Sequence, residues 1–512
     1  MASTFLGLTI AYTGLQAAQA SINTTAHNVS NVSTTGYSRQ KVTLEADKAL
    51  NTNPSYGTIG SGVVVTGVEQ IRDSYYDVKF RNNETNDGEY EVKENYMTQL
   101  EDYLNEFKLD GFTVEYENFY KSIGELKKTP TEESVQNSVI NNALSLTQYF
   151  NTLSTNLTNV QKDSNEEIKN QVGEINTISQ NIASLNKQIN YIEANKGSAN
   201  DLRDQRNNLL DQLSKIVNID TTETDMGNGL KSCVVKINGQ TLVDTYDYNT
   251  LTTTARTEKV NASDADGLYN VSWSNGLEFN EYSTSLNGSL KGLIDIRDGN
   301  NGSVETVTTD ASGNKSLELV NDSNQNTAYK GVPHYISKLN EFIDTFTSAV
   351  NEILTSGKTV KGEAGIPLFT VKYDKTAISA LSVTVNTALI KDPSKIATTT
   401  TTDPSQGVGY CDLVDKLIAL KSDKRYEGGT GTYFLESIVA EAGIDSKKAT
   451  SFLKNYTNIR STINNQRLSV MGVDQDEEGM DILKFQQAYN LSSKMMSVMN
   501  EIYNKLINET GL

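Results

Sequence analysis

The two ends of the chain constrain its fold most. Each is written as a long helix with an apolar stripe, and the first has no Asp, Glu, Lys or Arg before Arg39. Leu8, Ala11, Leu15, Ala18, Ile22, Thr25, Val29 and Val32 recur at alternating steps of three and four, as do Ile482, Phe485, Tyr489, Ser492, Met496, Met499, Tyr503 and Leu506. Such steps put side chains on one helix face, and kept up over about four heptads they form a coiled-coil seam. The first seam is mostly small (Ala, Thr, Val) and the second mostly large (Met, Phe, Tyr), so the two interdigitate better with each other than either does with itself. A chain that leaves through one helix and returns through the other makes them antiparallel neighbours.

Between these ends the pattern changes several times. Residues 4–33 read as helix, ended by Ser33-Thr34-Thr35-Gly36, whose glycine suits a left-handed cap. Residues 37–70 read as extended runs and turns, with Lys41 to Leu44 and Val63 to Val65 separated by Asn53-Pro54. Helical spacing resumes over 72–108, with Tyr96, Leu100, Tyr103, Leu104 and Phe107 on one face. It continues over 135–160 and 163–193, then breaks at Gly197-Ser198 before a partner helix carrying Leu202, Leu209, Leu213 and Ile216, which makes a helical hairpin. Residues 218–330 are rich in Thr, Asn, Gly and Asp, and Asn238-Gly239 between two short apolar runs signals a two-residue β-hairpin. Helical periodicity returns at 334–354, 411–421 and 433–470, while the threonines at 398–402 read as linker.

The predicted fold is therefore mainly α with a β-rich insertion. Residues 1–50 with 471–512 form a terminal coiled-coil domain, and 51–217 with 331–470 form a discontinuous helical-bundle domain. Residues 218–330 form a solvent-facing, outermost β-rich insertion. A length of 512 residues allows three or four domains. Counted with Gly and without Tyr, roughly 39% of the chain is apolar against the usual ~45–50%, which implies elongated bodies with much surface.

The net charge of -19 argues against nucleic acid or an anionic membrane as partner, since both require a basic stripe. It suits a self-repelling soluble particle whose charge-free end escapes the repulsion. Two cysteines, Cys233 and Cys411, make no disulfide framework and read as small buried hydrophobes. The N-terminus lacks the basic n-region and continuous apolar run of a secretory signal, and no stretch approaches the ~20 apolar residues of a membrane span. Composition alone places the chain in the cytoplasm.

Candidate chemistry is sparse. Asp474 to Gly479 opens like a calcium loop, but the twelfth position is Phe485, and Asp474 with Glu477 reads as a capping box instead. His27 and His334 have no metal-ligand spacing and read as polar surface or seam-edge residues. Gly57, Gly60, Gly62 and Gly67 make no dinucleotide fingerprint. Asp201 to Arg206 reads as a salt-bridged helix start in preference to a recognition patch. Tyr75, Tyr76, Tyr116, Phe119 and Tyr120 read as packing residues. No catalytic, metal or cofactor site is expected.

One segment is more particular. The run 23–37, with Asn28, Asn31, Gly36 and Tyr37, resembles the N-terminal signature of the flagellar rod, hook and hook-associated proteins. Its continuation Ser38-Arg39-Gln40, the run 60–67 and Ile71-Arg72-Asp73 resemble the hook–filament junction members of that family. So do 200–206 with 213–217, 288–298, 472–478 and 484–489, in the same order along the chain. After Gly407-Val408-Gly409 the family pattern leads to Gly-Asp-Asn, and here Tyr410-Cys411-Asp412 stands instead.

The resemblance implies a non-enzymatic, extracellular axial protein without cofactors, exported unfolded by the flagellar type III apparatus without a cleaved signal, which reverses the cytoplasmic placement. It implies a ring of about eleven copies at the distal end of the hook, in contact with the hook protein and a second junction protein. An export chaperone is expected on the C-terminal helix. The assembly interface is then expected on Leu8, Ala11, Leu15, Ala18, Ile22 and Val29, and on Ile482, Phe485, Tyr489, Met496, Met499, Tyr503 and Leu506. The competing readings are a flagellin or another axial protein, and a surface adhesin or enzyme with its activity in 218–330.

Overall fold

The computed structural model describes residues 6–53, 57–110, 112–309, 313, 315–322, 324–372, 377–401 and 410–509, and the side chains of 50–53, 57, 106–110, 112 and 113 lie outside that description. Among the described residues the helices are α1 (Leu6–Ser30), α2 (Ser74–Asp110), α3 (Phe112–Lys128), α4 (Glu133–Ala194), α5 (Asn200–Ile216) and α6 (Ser289–Asp298). They continue with α7 (Val332–Thr355), the short α8 (Thr387–Lys391), α9 (Asp412–Ala419), α10 (Gly431–Met471) and α11 (Gln475–Asn508). The strands make small antiparallel sheets, the largest of four strands over Asp220–Gly227, Leu230–Ile237, Gln240–Asp244 and Asp247–Tyr248. The protein is mainly helical.

The chain divides into two compact units. The first takes Met1–Glu84, Ile175–Thr250 and Thr457–Leu512, and the second takes Thr85–Glu174 and Leu251–Tyr456.

The second unit is organised around aromatic side chains. Phe342 on α7 is fully buried and stacks on Phe150 of α4 at 5.5 Å, on Phe346 at 5.9 Å and on Tyr426 at 5.2 Å. Tyr116, Phe119 and Tyr120 enter the same core from α3. Offset stacking of this kind adds to the transfer energy of large apolar surfaces. Helix α6 is buried at all ten residues. It can lie close to α2 because Gly292 has no side chain: a Cβ there would meet the Glu89 carbonyl oxygen at 2.8 Å. At its end Arg297 is wholly buried and bonds Asp298, Glu281 and the Tyr269 carbonyl, so its charge and donors are matched.

The first unit contains α1, the two-stranded sheet of Gln40–Ala46 with Val63–Gln70, the last third of α4, α5, the four-stranded sheet and α11. The turn at Asn238 (φ 47°) and Gly239 (φ 80°) has both central residues left-handed, the type I′ geometry expected of Asn-Gly. The hairpin of α4 and α5 closes across 195–199, also as expected.

Several expectations need correction. The two helices read over 135–160 and 163–193 are one helix, α4, of 62 residues. The helix runs straight through the junction: Ser164 donates back to the Gln161 carbonyl, and the Asn165 side-chain Oδ1 accepts from the Tyr269 amide and from Arg297. Inside 218–330, the buried α6 contradicts a wholly solvent-facing stretch. The threonine run is not linker where it is described: Ala397–Thr399 is a buried strand paired with Lys358–Thr359. His334 is buried against Glu441 at 3.4 Å and is no surface residue. Helix α3 was not read at all. The side chain of Phe107 and all of Gly407 to Gly409 lie outside what is described.

Candidate functional site where the two ends meet

Helices α1 and α11 pack side by side and antiparallel. A Cβ on Gly7 would lie 2.8 Å from Met499 Cε and one on Gly14 3.1 Å from Ser492 Oγ, while Asn28 bonds Glu478. Every step along one helix is thus matched by an equal step back along the other. Ala11, Ala18 and Thr25 are buried, and Leu8, Leu15, Ile22 and Val29 are half-buried. Ile482, Phe485, Tyr489, Met496, Met499 and Tyr503 are half-buried too, whereas Leu506 is exposed. On α11 only Glu478 is fully buried, and Met480, Leu483, Leu491, Met495, Val498 and Ile502 are exposed. Asp474 caps α11 by accepting from the amides of Asp476 and Glu477, so the calcium-like opening is a helix start.

Just past α1 the chain turns through Gly36, whose φ is +76° and whose missing Cβ would stand 1.8 Å from Asn208 Oδ1. Only glycine satisfies both conditions. The turn brings the following four residues under the helix pair, where their side chains meet segments far away in sequence. Tyr37 donates its hydroxyl to Asn28 Oδ1 at 2.8 Å. Ser38 donates its amide and hydroxyl to Asp204 at 2.9 and 2.7 Å. Arg39 reaches Glu478 at 2.5 Å and Glu477 at 3.1 Å, and its amide donates to the Met471 carbonyl. Gln40 donates to Asp201 at 2.7 Å and accepts from Asn200 at 3.2 Å. Asn31 stays local, bonding the His27 carbonyl and accepting from Thr34.

Around this knot lies a buried charge lattice. Arg72 pairs with Asp77 at 2.7 Å and with Asp204 at 3.1 Å, Arg467 with Asp77 and Asp211 at 2.7 Å each, and Arg81 with Asp211 at 2.8 Å. Burial alone would lift the Asp77 carboxyl, but the Arg72 bonds and the nearby charges of Arg467 and Arg81 hold it below the ordinary carboxylate range. Burial wins at Asp204, which is raised despite the bonds from Ser38 and the charge of Arg72. Burial, followed by the negative charges of Asp201, Asp204 and Glu478, pushes the Tyr37 phenol up. The segment 201–206 is the salt-bridged helix start expected, with Arg203 paired to Glu193 and Glu223 and Arg206 to Glu223, and through Asp201 and Asp204 it also anchors the N-terminal motif. His27 lies at its exposed edge, 3.3 Å from Asp201.

The sequence presented Arg72, Asp204 and Glu478 as separate motifs and missed that they converge, and Arg81, Asp211 and Arg467 were missed entirely. A usable signal was present. The N-terminal segment carries Arg39 and Arg72 with few acids, and 472–478 carries Asp474, Asp476, Glu477 and Glu478 with no base, whereas 200–206 is balanced by Arg203 and Arg206. Chemically, the arrangement fastens two chain ends together. Among the described residues no cluster of three or more His, Cys, Asp or Glu is placed to hold a metal, and no helix is long and apolar enough to cross a membrane.

The class is that of flagellar proteins: residues 8–37, which hold most of α1 and the start of the motif that fastens it to α11, match the profile of the flagella basal body rod protein. The profile described as the flagellar hook-associated protein FlgK helical domain matches residues 97–369, more than half of the chain, which therefore belongs to the FlgK family of flagellar hook-associated proteins. Flagellar hook-associated protein 1 of Bacillus subtilis (strain 168) is 29% identical over 533 aligned positions, covering 100% of this chain and 99% of that protein. Those of Salmonella typhimurium and Escherichia coli (strain K12) are each 26% identical over 97% of this chain and 98% of theirs. The solved structure of the flagellar hook junction protein FlgK from Burkholderia pseudomallei shares the fold at a TM-score of 0.60 and 13% identity, covering 77% of this chain and 100% of that one. The chain is a structural component of the bacterial flagellum, a hook-associated junction protein.

Proposed function

We propose that copies of this chain form a ring of about eleven at the distal end of the hook and join it to the filament, with a second junction protein above and the hook protein below. Paired as a coiled coil, α1 and α11 serve as the axial element, with residues 1–50 and 471–512 as the innermost domain. Residues 51–217 with 331–470 then make the helical domain, and 218–330 the outer one. The carrying observation is the half-open seam. The large side chains of α11 are covered on one side by α1, and its other face presents Met480, Leu483, Leu491, Met495 and Val498. A charge-free α1 lets such pairs pack side by side within an acidic assembly.

In this reading the chain leaves the cell unfolded through the flagellar type III apparatus, with a chaperone covering the apolar C-terminal helix beforehand. The seam residues of α1 and α11 form the assembly interface, and the chain is non-enzymatic, as its structural family supports. Removing residues 474–512 in the parent bacterium tests this. Electron microscopy is expected to show hooks without filaments, with filament subunits in the medium; normal filaments would refute it.

A further inference from the structure

We infer that Asn28, acting with Glu478 and Arg39, sets the register in which α1 and α11 pair. Facing α11, one line of α1 carries Gly7, Gly14, Ser21 and Asn28, spaced by seven. Met499 and Ser492 lie against the two glycines and Glu478 against Asn28, and the same step puts Phe485 opposite Ser21. A slide of one heptad keeps the same line of each helix in contact and sets small residues against large ones again. The apolar seam therefore discriminates weakly between alignments.

The polar end discriminates strongly. Asn28 is 1% exposed and uses its whole hydrogen-bonding capacity. Its Oδ1 accepts from the Tyr37 hydroxyl and from the Gln40 amide at 2.9 Å. Its Nδ2 donates to the Gln40 carbonyl at 2.9 Å and to Glu478 Oε2 at 3.1 Å. The other Glu478 oxygen accepts from Arg39 Nε, so this 2% exposed carboxylate is held on both sides. Sliding by one heptad brings Phe485 opposite Asn28 in one direction, and in the other carries Asn28 past the start of α11 at Gln475, so that it faces no α11 residue. That strips a buried amide of a partner and Arg39 of its buried counter-ion, and such unpaired groups select one alignment. Glu477 and Asp481 touch Arg39 from more exposed positions, at 3.1 and 3.7 Å, and do not replace that contact.

Disulfide trapping in the full-length chain tests this. A Cβ on Gly14 lies 3.9 Å from Ser492 Cβ, within the span a disulfide bridges, so Gly14→Cys with Ser492→Cys reports the native register. Gly14→Cys with Met499→Cys or with Phe485→Cys reports the two heptad slides; native Cys233 and Cys411 are buried and free. In the otherwise unaltered chain, mild oxidation is expected to close the native pair alone. Adding Asn28→Leu is expected to raise closure of a slipped pair relative to the native one by about tenfold or more, the factor implied by an unpaired buried amide.

The complementary variant moves the carboxylate: Glu478→Phe with Phe485→Glu is expected to transfer the dominant closure to the Gly14→Cys, Met499→Cys pair. The inference is overturned if the native pair fails to close in the unaltered chain. It is equally overturned if the native pair stays dominant after Asn28→Leu or after the exchange. Closure of none of the pairs after Asn28→Leu also counts against it, because the contact would then hold the helices without choosing their alignment.

Discussion

The seam of α1 with α11 and the core of the second unit are both built from side chains at helical spacing, yet they bury them differently. Phe342 is enclosed by helix α7, helix α4 and the aromatic ring of Tyr426, and nothing of it reaches solvent. Met496 and Met499 lie on the face of α11 turned to α1, where Met499 rests against Gly7, and stay half-open. Two cylinders in contact cover a large side chain on one side, and a third body is needed to complete the close packing of protein interiors. The second unit supplies that third body from its own chain. The terminal pair supplies small residues on one helix, large ones on the other, and a polar knot at one end.

The largest effect is expected where enclosure is complete. Phe342→Ala should destabilise the second unit by about 3–5 kcal/mol in chemical denaturation. A cost no larger than that of a seam residue would erase the distinction between the regions.

The next effect is one of pH. Asp264 is fully buried, and burial followed by the charge of Asp298 raises its carboxyl to about 6, above the unfolded value of 3.8. The native state thus favours the protonated form, a contribution present below pH 3.8 and lost as pH rises through about 6. Removing that loss with Asp264→Asn should raise stability at pH 7 relative to pH 4 by roughly 2–3 kcal/mol. Parallel stability profiles for parent and variant would show that the carboxylate is solvated after all. Glu441 has the opposite sign: bonds from His334, and then from Lys330, lower it to about 2, so its contribution is present above 4.5 and lost as pH falls through about 2.

A smaller cost, roughly 1 kcal/mol, is expected for Met496→Ala in the free chain, since only part of that side chain leaves water. In assembled flagella the same substitution should cost more, measured by dissociation on heating; equal costs in both states would argue that nothing further covers the seam. Smallest is Lys128→Ala, which removes an exposed pair with Glu125 and should stay within about 0.5 kcal/mol.

What the sequence made legible follows the same contrast. Spacing of three and four revealed both terminal helices and the seam face, because one-sided burial leaves a clean stripe. The Asn-Gly turn was legible because only a left-handed pair of residues closes that hairpin. Helix α6 was not, since a helix buried on every side has no stripe and its Ser-Leu-Lys-Gly start resembles loop. The continuous α4 was read as two helices, 135–160 and 163–193, because Gln161 between them is polar, although it is buried and bonded to Asp264 and the Arg297 carbonyl. The seam residues and the motif from Gly36 to Gln40 were named from sequence, but their shared anchor on Asp204 and Glu478 was not, for ion pairing across hundreds of residues leaves no periodic trace.

Asn28 bonds one partner 12 residues away and another 450 residues away. Were the intervening chain unfolded, closing the longer loop would cost about 3 kcal/mol more than the shorter, by the logarithm of their lengths. The local half of the contact is thus available as soon as the N-terminal segment exists, whereas the distant half waits for almost the entire polypeptide. A chain delivered N-terminus first cannot complete the joint between its two ends until the final tenth arrives, which makes that joint a late event in its folding.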